Sequence, residues 1–130
     1  MTDYRELTVT RGQTKNEALE KRMLIFAATA VRTLRQHKEI PRPVADQLTR
    51  ATASVGANYL EACNASSKLD FRNKIFIAKK EAAESRYWID FCIELTAPET
   101  WHWCRAESQE LLLILQSIVN SLKNESKNDT

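Results

Sequence analysis

A chain of 130 residues, 43% hydrophobic and 28% charged, is long enough to bury one core and has the composition of a soluble single-domain protein. Two glycines and three prolines exclude a β fold built on many tight turns and favour long helices with few connections. The net charge of +2 selects no class of partner, and no stretch reaches the ~18 apolar residues of a membrane span.

Three cysteines, Cys63, Cys92 and Cys104, form no close pair, and with two histidines they give no metal-ligand spacing. An odd count behind an N-terminus without an apolar signal core reads as reduced thiols in a cytoplasm. No cofactor is expected.

Residues 1–15 are polar, lack periodicity and read as a flexible arm. The first helix is expected from about Asn16 to Gln36, where Leu19, Met23, Phe26, Ala30 and Leu34 recur at steps of three and four. Pro41-Arg42-Pro43 ends the following loop, and Pro43 suits a first helical turn. The second helix runs to about Ala65, with Val44, Leu48, Ala51, Val55, Tyr59 and Ala62 on its inner face. Gly56 costs this helix about 1 kcal/mol relative to alanine. The small residues beside it, Ala51, Ala53 and Ala57, point to close approach by a neighbour. Ser67 and Asp70 have the spacing of a capping box, so a third helix is expected from Lys68 to Leu95, where Thr96-Ala97-Pro98 stops it. The fourth is expected from Thr100 to Leu122, with 123–130 as a polar, frayed tail. Four amphipathic helices with short connections predict an all-α, antiparallel up-down-up-down four-helix bundle over 16–122.

The second helix also carries a polar stripe, Arg50, Ser54, Asn58 and Glu61, spaced four, four and three apart and therefore on one strip. Polar groups beside a core face need partners. Glu81 and Glu84 on the third helix supply them in the structural reading: Arg50 pairs with Glu81 or Glu84, and Asn58 bridges the helices. If that pair is buried, breaking it should cost about 3–5 kcal/mol. The functional alternative is a carboxylate metal site, but such sites in bundles use Glu-x-x-His. Glu81-x-x-Glu84 lacks the histidine, and neither His37 nor His102 has the spacing. A small-ligand or acid–base site is the remaining alternative. No triad and no glycine-rich phosphate loop is present, so no catalytic residue is assigned.

The third helix has more apolar surface than one core requires. One stripe is Phe71, Ile75, Ala78, Ala82, Ile89 and Cys92; a second, roughly 120° away, is Ile77, Trp88, Phe91 and Leu95. The second stripe meets either a neighbouring helix packed at an angle or another subunit. The run Leu111 to Leu115 is apolar most of the way round and also asks for burial on more than one side. Trp101-His102-Trp103-Cys104 reads as a packing plug or an interface contact before it reads as a base-stacking platform.

Arg50-x-x-x-Ser54-x-x-Ala57-Asn58-x-x-Glu61-Ala62, then Ser67-Lys68-x-Asp70-Phe71-x-x-Lys74, then Ala78-x-x-Glu81-x-x-Glu84 and Arg86-Tyr87-Trp88 together resemble the bacterial S23, or 23S rRNA intervening-sequence, protein family. The accessory variability determinant of diversity-generating retroelements is a relative in that group. The resemblance covers about residues 16–122. It implies a four-helix subunit of a ring-like homopentamer without known catalytic activity, and in the retroelement branch it implies binding to nucleic acid and to a reverse transcriptase. The charge of +2 departs from the markedly basic retroelement relatives, and Gly56 stands where many members carry proline.

Basic residues are the remaining functional clue. Lys21, Arg22, Arg32, Arg35 and Lys38 make the first helix positive, and Lys68, Arg72, Lys79 and Arg86 form a stripe on the third. A solvated face is the ordinary explanation. Repetition around a ring would make even a modest patch multivalent toward RNA or DNA phosphates. On that reading Lys21, Arg22, Arg32, Arg35, Lys68 and Arg72 are the expected contacts, and Ile77, Trp88, Phe91 and Leu95 the expected subunit interface.

Overall fold

The computed structural model describes residues 14–128. Four helices follow one another: α1 (Lys15–Arg35), α2 (Arg42–Cys63), α3 (Lys68–Leu95) and α4 (Glu99–Asn128). No strand is present among the described residues.

Local chemistry sets most boundaries. The Thr14 hydroxyl accepts from the Glu17 amide and caps α1. Pro43 sits in the first turn of α2, where its missing N–H has no intrahelical partner to lose. The Ser67 hydroxyl accepts from the Asp70 amide and starts α3 at the expected residue. Thus Thr14 and Lys15, assigned to the flexible arm by their polarity, belong to the cap and first turn of α1; the rest of that expected arm lies outside the described residues. The fourth helix is the longest at 30 residues, two more than α3, and continues six residues beyond Leu122. Its polar end lacks an apolar period but also lacks glycine and proline, so nothing in it stops the helix. The last two residues of the expected tail lie outside the described part.

The four helices share one core. α1 packs on α2, α2 on α3, α3 on α4, and α4 on α1. The partners fall in reverse order along each consecutive pair. Asn16 meets Tyr59 while Met23 lies at Gly56; Glu61 meets Lys74 while Arg50 meets Glu81; Arg86 meets Gln109 while Asp90 meets Arg105. The expected inner faces of α1 and α2 are buried, apart from a half-buried Leu34, and the first stripe of α3 is buried apart from a half-buried Phe71. Trp101, Cys104, Leu111, Ile114, Leu115 and Val119 complete the core from α4. Each fully buried Leu, Ile or Phe contributes about 1.5–3 kcal/mol relative to exposure.

Five buried residues are polar: Thr33, Thr52, Ser85, Thr96 and Ser108. Each hydroxyl donates to a carbonyl three or four residues earlier in its own chain segment. The interior therefore satisfies its hydroxyls within each helix and needs no cross-helix bridge for them. Gly56 has the role its small neighbours suggested. A Cβ there would stand 3.3 Å from the Cβ of Met23, so the glycine lets α1 and α2 approach closely. No helix among the described residues is long and apolar enough to cross a membrane.

Candidate functional site

The polar stripe on α2 divides into parts with different partners. Arg50 reaches α3 with both terminal nitrogens: one donates to Glu81 at 2.8 Å, the other pairs with Glu84. The pairing is as expected, but its setting is not a buried one. The Arg50 side chain is 47% exposed, Glu84 41% and Glu81 17%. Asn58 does not bridge helices. Its amide donates to the Ser54 carbonyl, and Ser54 donates to the Arg50 carbonyl, so both bonds stay within α2. Glu61 pairs with Lys74 of α3 at 2.7 Å near the other end of the seam. The two carboxylates of the Glu-x-x-Glu pair are thus both engaged by Arg50. Among the described residues no group of three or more His, Cys, Asp or Glu is arranged to hold a metal ion.

The six expected phosphate contacts do not form one patch. Arg22 is taken out of the set by a partner on α4: its guanidinium makes a two-pronged contact with Glu107 at 2.8 and 2.7 Å. The side chains are only 24% and 12% exposed. That hydrogen bond raises the arginine's pKa further and holds its charge against the burial that opposes it. Lys21 lies at an apolar groove between α1 and α2. Arg32 and Arg35 occupy the last turn of α1, where they complement the helix dipole. Lys68 and Arg72 stand in the first turns of α3.

Around Lys68 and Arg72 the structure assembles a more specific arrangement. The Arg72 guanidinium lies 5.8 Å from the centre of the Phe76 ring, and the Lys79 ammonium 5.9 Å from the same centre. One aromatic ring is flanked along the helix by two cations. Arg72, Lys79 and Arg86 are seven residues apart in turn, and Arg86 donates to the neutral Gln109 of α4 at 3.0 Å. Seven-residue steps from Gln109 lead along α4 to Gln116 and Lys123, so Lys123 continues this basic seam. None of Lys68, Arg72, Lys79, Arg86 and Lys123 makes an ion pair among the described residues. Sequence reasoning named the stripe but missed Phe76 and Lys123. A four-then-three spacing of cation, aromatic and cation was the available signal for Phe76. The Lys123 contribution depended on knowing which face of α4 meets α3.

The second stripe of α3 is uncovered. Ile77, Phe91 and Leu95 are exposed and Trp88 is half-buried. Trp88 meets the exposed Tyr87 edge-on with centroids 5.0 Å apart, and Phe91 at 6.0 Å. In the first turns of α4, Trp101 and Cys104 are fully buried whereas His102 and Trp103 are exposed, so the plug is made by half of that motif.

No curated protein matches the sequence. Among solved structures, a protein of unknown function from the S23 ribosomal protein family of Bacteroides thetaiotaomicron VPI-5482 is similar, with 32% identity and a TM-score of 0.72. The alignment covers 78% of this chain and 97% of that one. Residues 15–124, which span all four helices except the end of α4, match the 23S rRNA-intervening sequence protein family. The chain belongs to the 23S rRNA-intervening sequence protein family.

Proposed function

We propose that this chain is a non-enzymatic, self-associating protein that holds RNA, alone or within an RNA–protein complex, on the face shared by α3 and α4. The observation that carries the reading is the Phe76 ring between Arg72 and Lys79, on a seam where Lys68 and Lys123 also lack ion pairs among the described residues. Unpaired cations attract phosphates without reading sequence, and an aromatic ring among them offers a stacking surface to a base. The reverse-order helix pairings favour an antiparallel up-down-up-down bundle, which leaves this seam on the outer surface. Family membership favours a ring of copies, five by resemblance, in which one weak patch is repeated. The setting we assign is the cytoplasm, with no bound cofactor.

The test is binding of a labelled structured RNA across a salt series. We expect affinity to fall steeply with salt, and Lys68→Glu, Arg72→Glu and Lys79→Glu together to lower it at least tenfold and flatten the salt slope. Unchanged affinity in that triple variant would remove the assignment. A protein partner, such as the reverse transcriptase implied by the retroelement relatives, is the second reading, favoured by the exposed Tyr87–Trp88–Phe91 cluster. It predicts that Trp88→Ala abolishes capture of that partner while RNA affinity stays the same.

A further inference from the structure

We infer that the apolar groove between α1 and α2 is covered by the segment of this same chain that precedes α1, with Leu7 and Val9 seated in it. The inference goes beyond the RNA reading and shares no residue with the α3–α4 seam, so either can fail without the other. The groove encloses about 540 Å³. Leu24 and Leu60 line it 68% and 49% exposed, together with the small residues Ala27, Ala53, Gly56 and Ala57. Two large aliphatic side chains standing in water along one groove call for a cover.

Position and reach select the occupant. The groove residues of α1 run from Glu17 to Ala27, about 15 Å along the helix. Glu17 is three residues from Thr14, where the backbone is extended (φ −79°, ψ 164°) and the chain enters the helix. Residues 1–13 therefore join the described part at one end of the groove. Lying along it requires a reversal of direction, and Gly12 supplies a residue free to take turn conformations closed to others. From Arg11 to Leu7 an extended chain covers about 13 Å, close to the length of the groove. A short tether also holds the segment at millimolar effective concentration, which a separate molecule would have to match.

The side chains fit as the length does. In an extended segment Arg5, Leu7, Val9 and Arg11 share one face, and Tyr4, Glu6, Thr8 and Thr10 share the other. The first face is apolar in its middle and basic on both sides; the second is mostly polar and suits water. With Gly12 at the turn, Arg11 falls beside Glu17 and Glu20, Val9 level with Lys21, and Leu7 near Leu24 and Ala27. Lys21, the cation of the groove, thus meets a valine and not an arginine. Asp3 and Arg5 fall past Ala27, and Glu6 is on the outward face. Neither Glu17, Glu20 nor Lys21 has an ion pair among the described residues, so the two carboxylates are available to Arg11.

Methyl NOE spectroscopy on the full chain tests this, with isotope filtering on a mixture of labelled and unlabelled chains. The Leu7 and Val9 methyls should show cross-peaks to those of Leu24 and Ala57 in the uniformly labelled protein, and none between chains in the filtered spectrum. Cross-peaks between chains overturn the inference and make the occupant the segment of a second copy. Absence of any cross-peak from Leu7 or Val9 to the groove overturns it as well. Leu7→Asp with Val9→Asp gives a second readout, and both substitutions precede the first helix. This variant should keep its helical circular dichroism and raise the fluorescence of bound anilinonaphthalene sulfonate at least twofold, because the groove is opened to the dye. Unchanged dye fluorescence means that this segment does not cover the groove, and overturns the inference.

Discussion

Among the arginines that tie helices together in this molecule, Arg22 and Arg50 do so under different dielectric conditions. Arg22 and Glu107 join α1 to α4 with a two-pronged contact largely withdrawn from water. Arg50 joins α2 to α3 through two carboxylates, but it stands half in solvent. Coulomb attraction, screening and the cost of leaving a charge alone all grow or shrink with that exposure. The Arg22 pair is therefore a lock whose halves need each other. The Arg50 cluster is a contact that water can replace, adjacent to the uncovered second stripe of α3.

The largest expected effect follows from breaking the lock. Glu107→Ala leaves Arg22 mostly buried without its carboxylate and should cost about 2–4 kcal/mol, read as a lower urea midpoint with unchanged slope. A loss under about 0.5 kcal/mol would erase the contrast between the two seams. Replacing both partners, Arg22→Met with Glu107→Leu, should recover most of that loss, because the penalty lies in the orphaned charge rather than in a missing attraction. Glu84→Ala should cost about 0–1 kcal/mol, and the difference should vanish in strong salt. The burial expected from sequence would have made it about 3–5 kcal/mol. The smallest effect is in thiol chemistry. Burial pushes Cys92 up to about 11 and Cys104 up to about 12, so at pH 8 both are protonated and unreactive. Alkylation of the native protein at pH 8 should reach only the half-buried Cys63, and slowly, since burial raises that thiol too. In Glu107→Ala, Cys104 should become reactive before Cys92, as it lies one turn from the broken lock.

What the sequence disclosed divides along the range of the interactions. Ser67 with Asp70, Pro43 and Pro98 act within one turn, so helix starts and stops were legible from them. The Arg50 partners were legible because helical spacing put Glu81 and Glu84 on one facing strip. The Arg22–Glu107 contact spans 85 positions and joins the first helix to the last, which no local period encodes. Nor does spacing report exposure, and so Arg50 looked buried and Arg22 looked free. Asn58 was misread for a related reason. An amide on a helix can always turn back to its own carbonyls, and that option leaves no mark in the pattern. The end of α4 was missed because periodicity detects only helix that is buried on one side.

The three tryptophans sit in three environments: Trp101 sealed in the core, Trp88 half-covered on the second stripe of α3 and Trp103 at the surface. The indole N–H of Trp101 has no acceptor among the described residues. Fully buried, this indole should emit toward the blue. Trp88 emission responds to whatever covers α3, and Trp103 emission to bulk water. Single-tryptophan versions of this chain would read folding and docking as two separate optical signals, without any added dye.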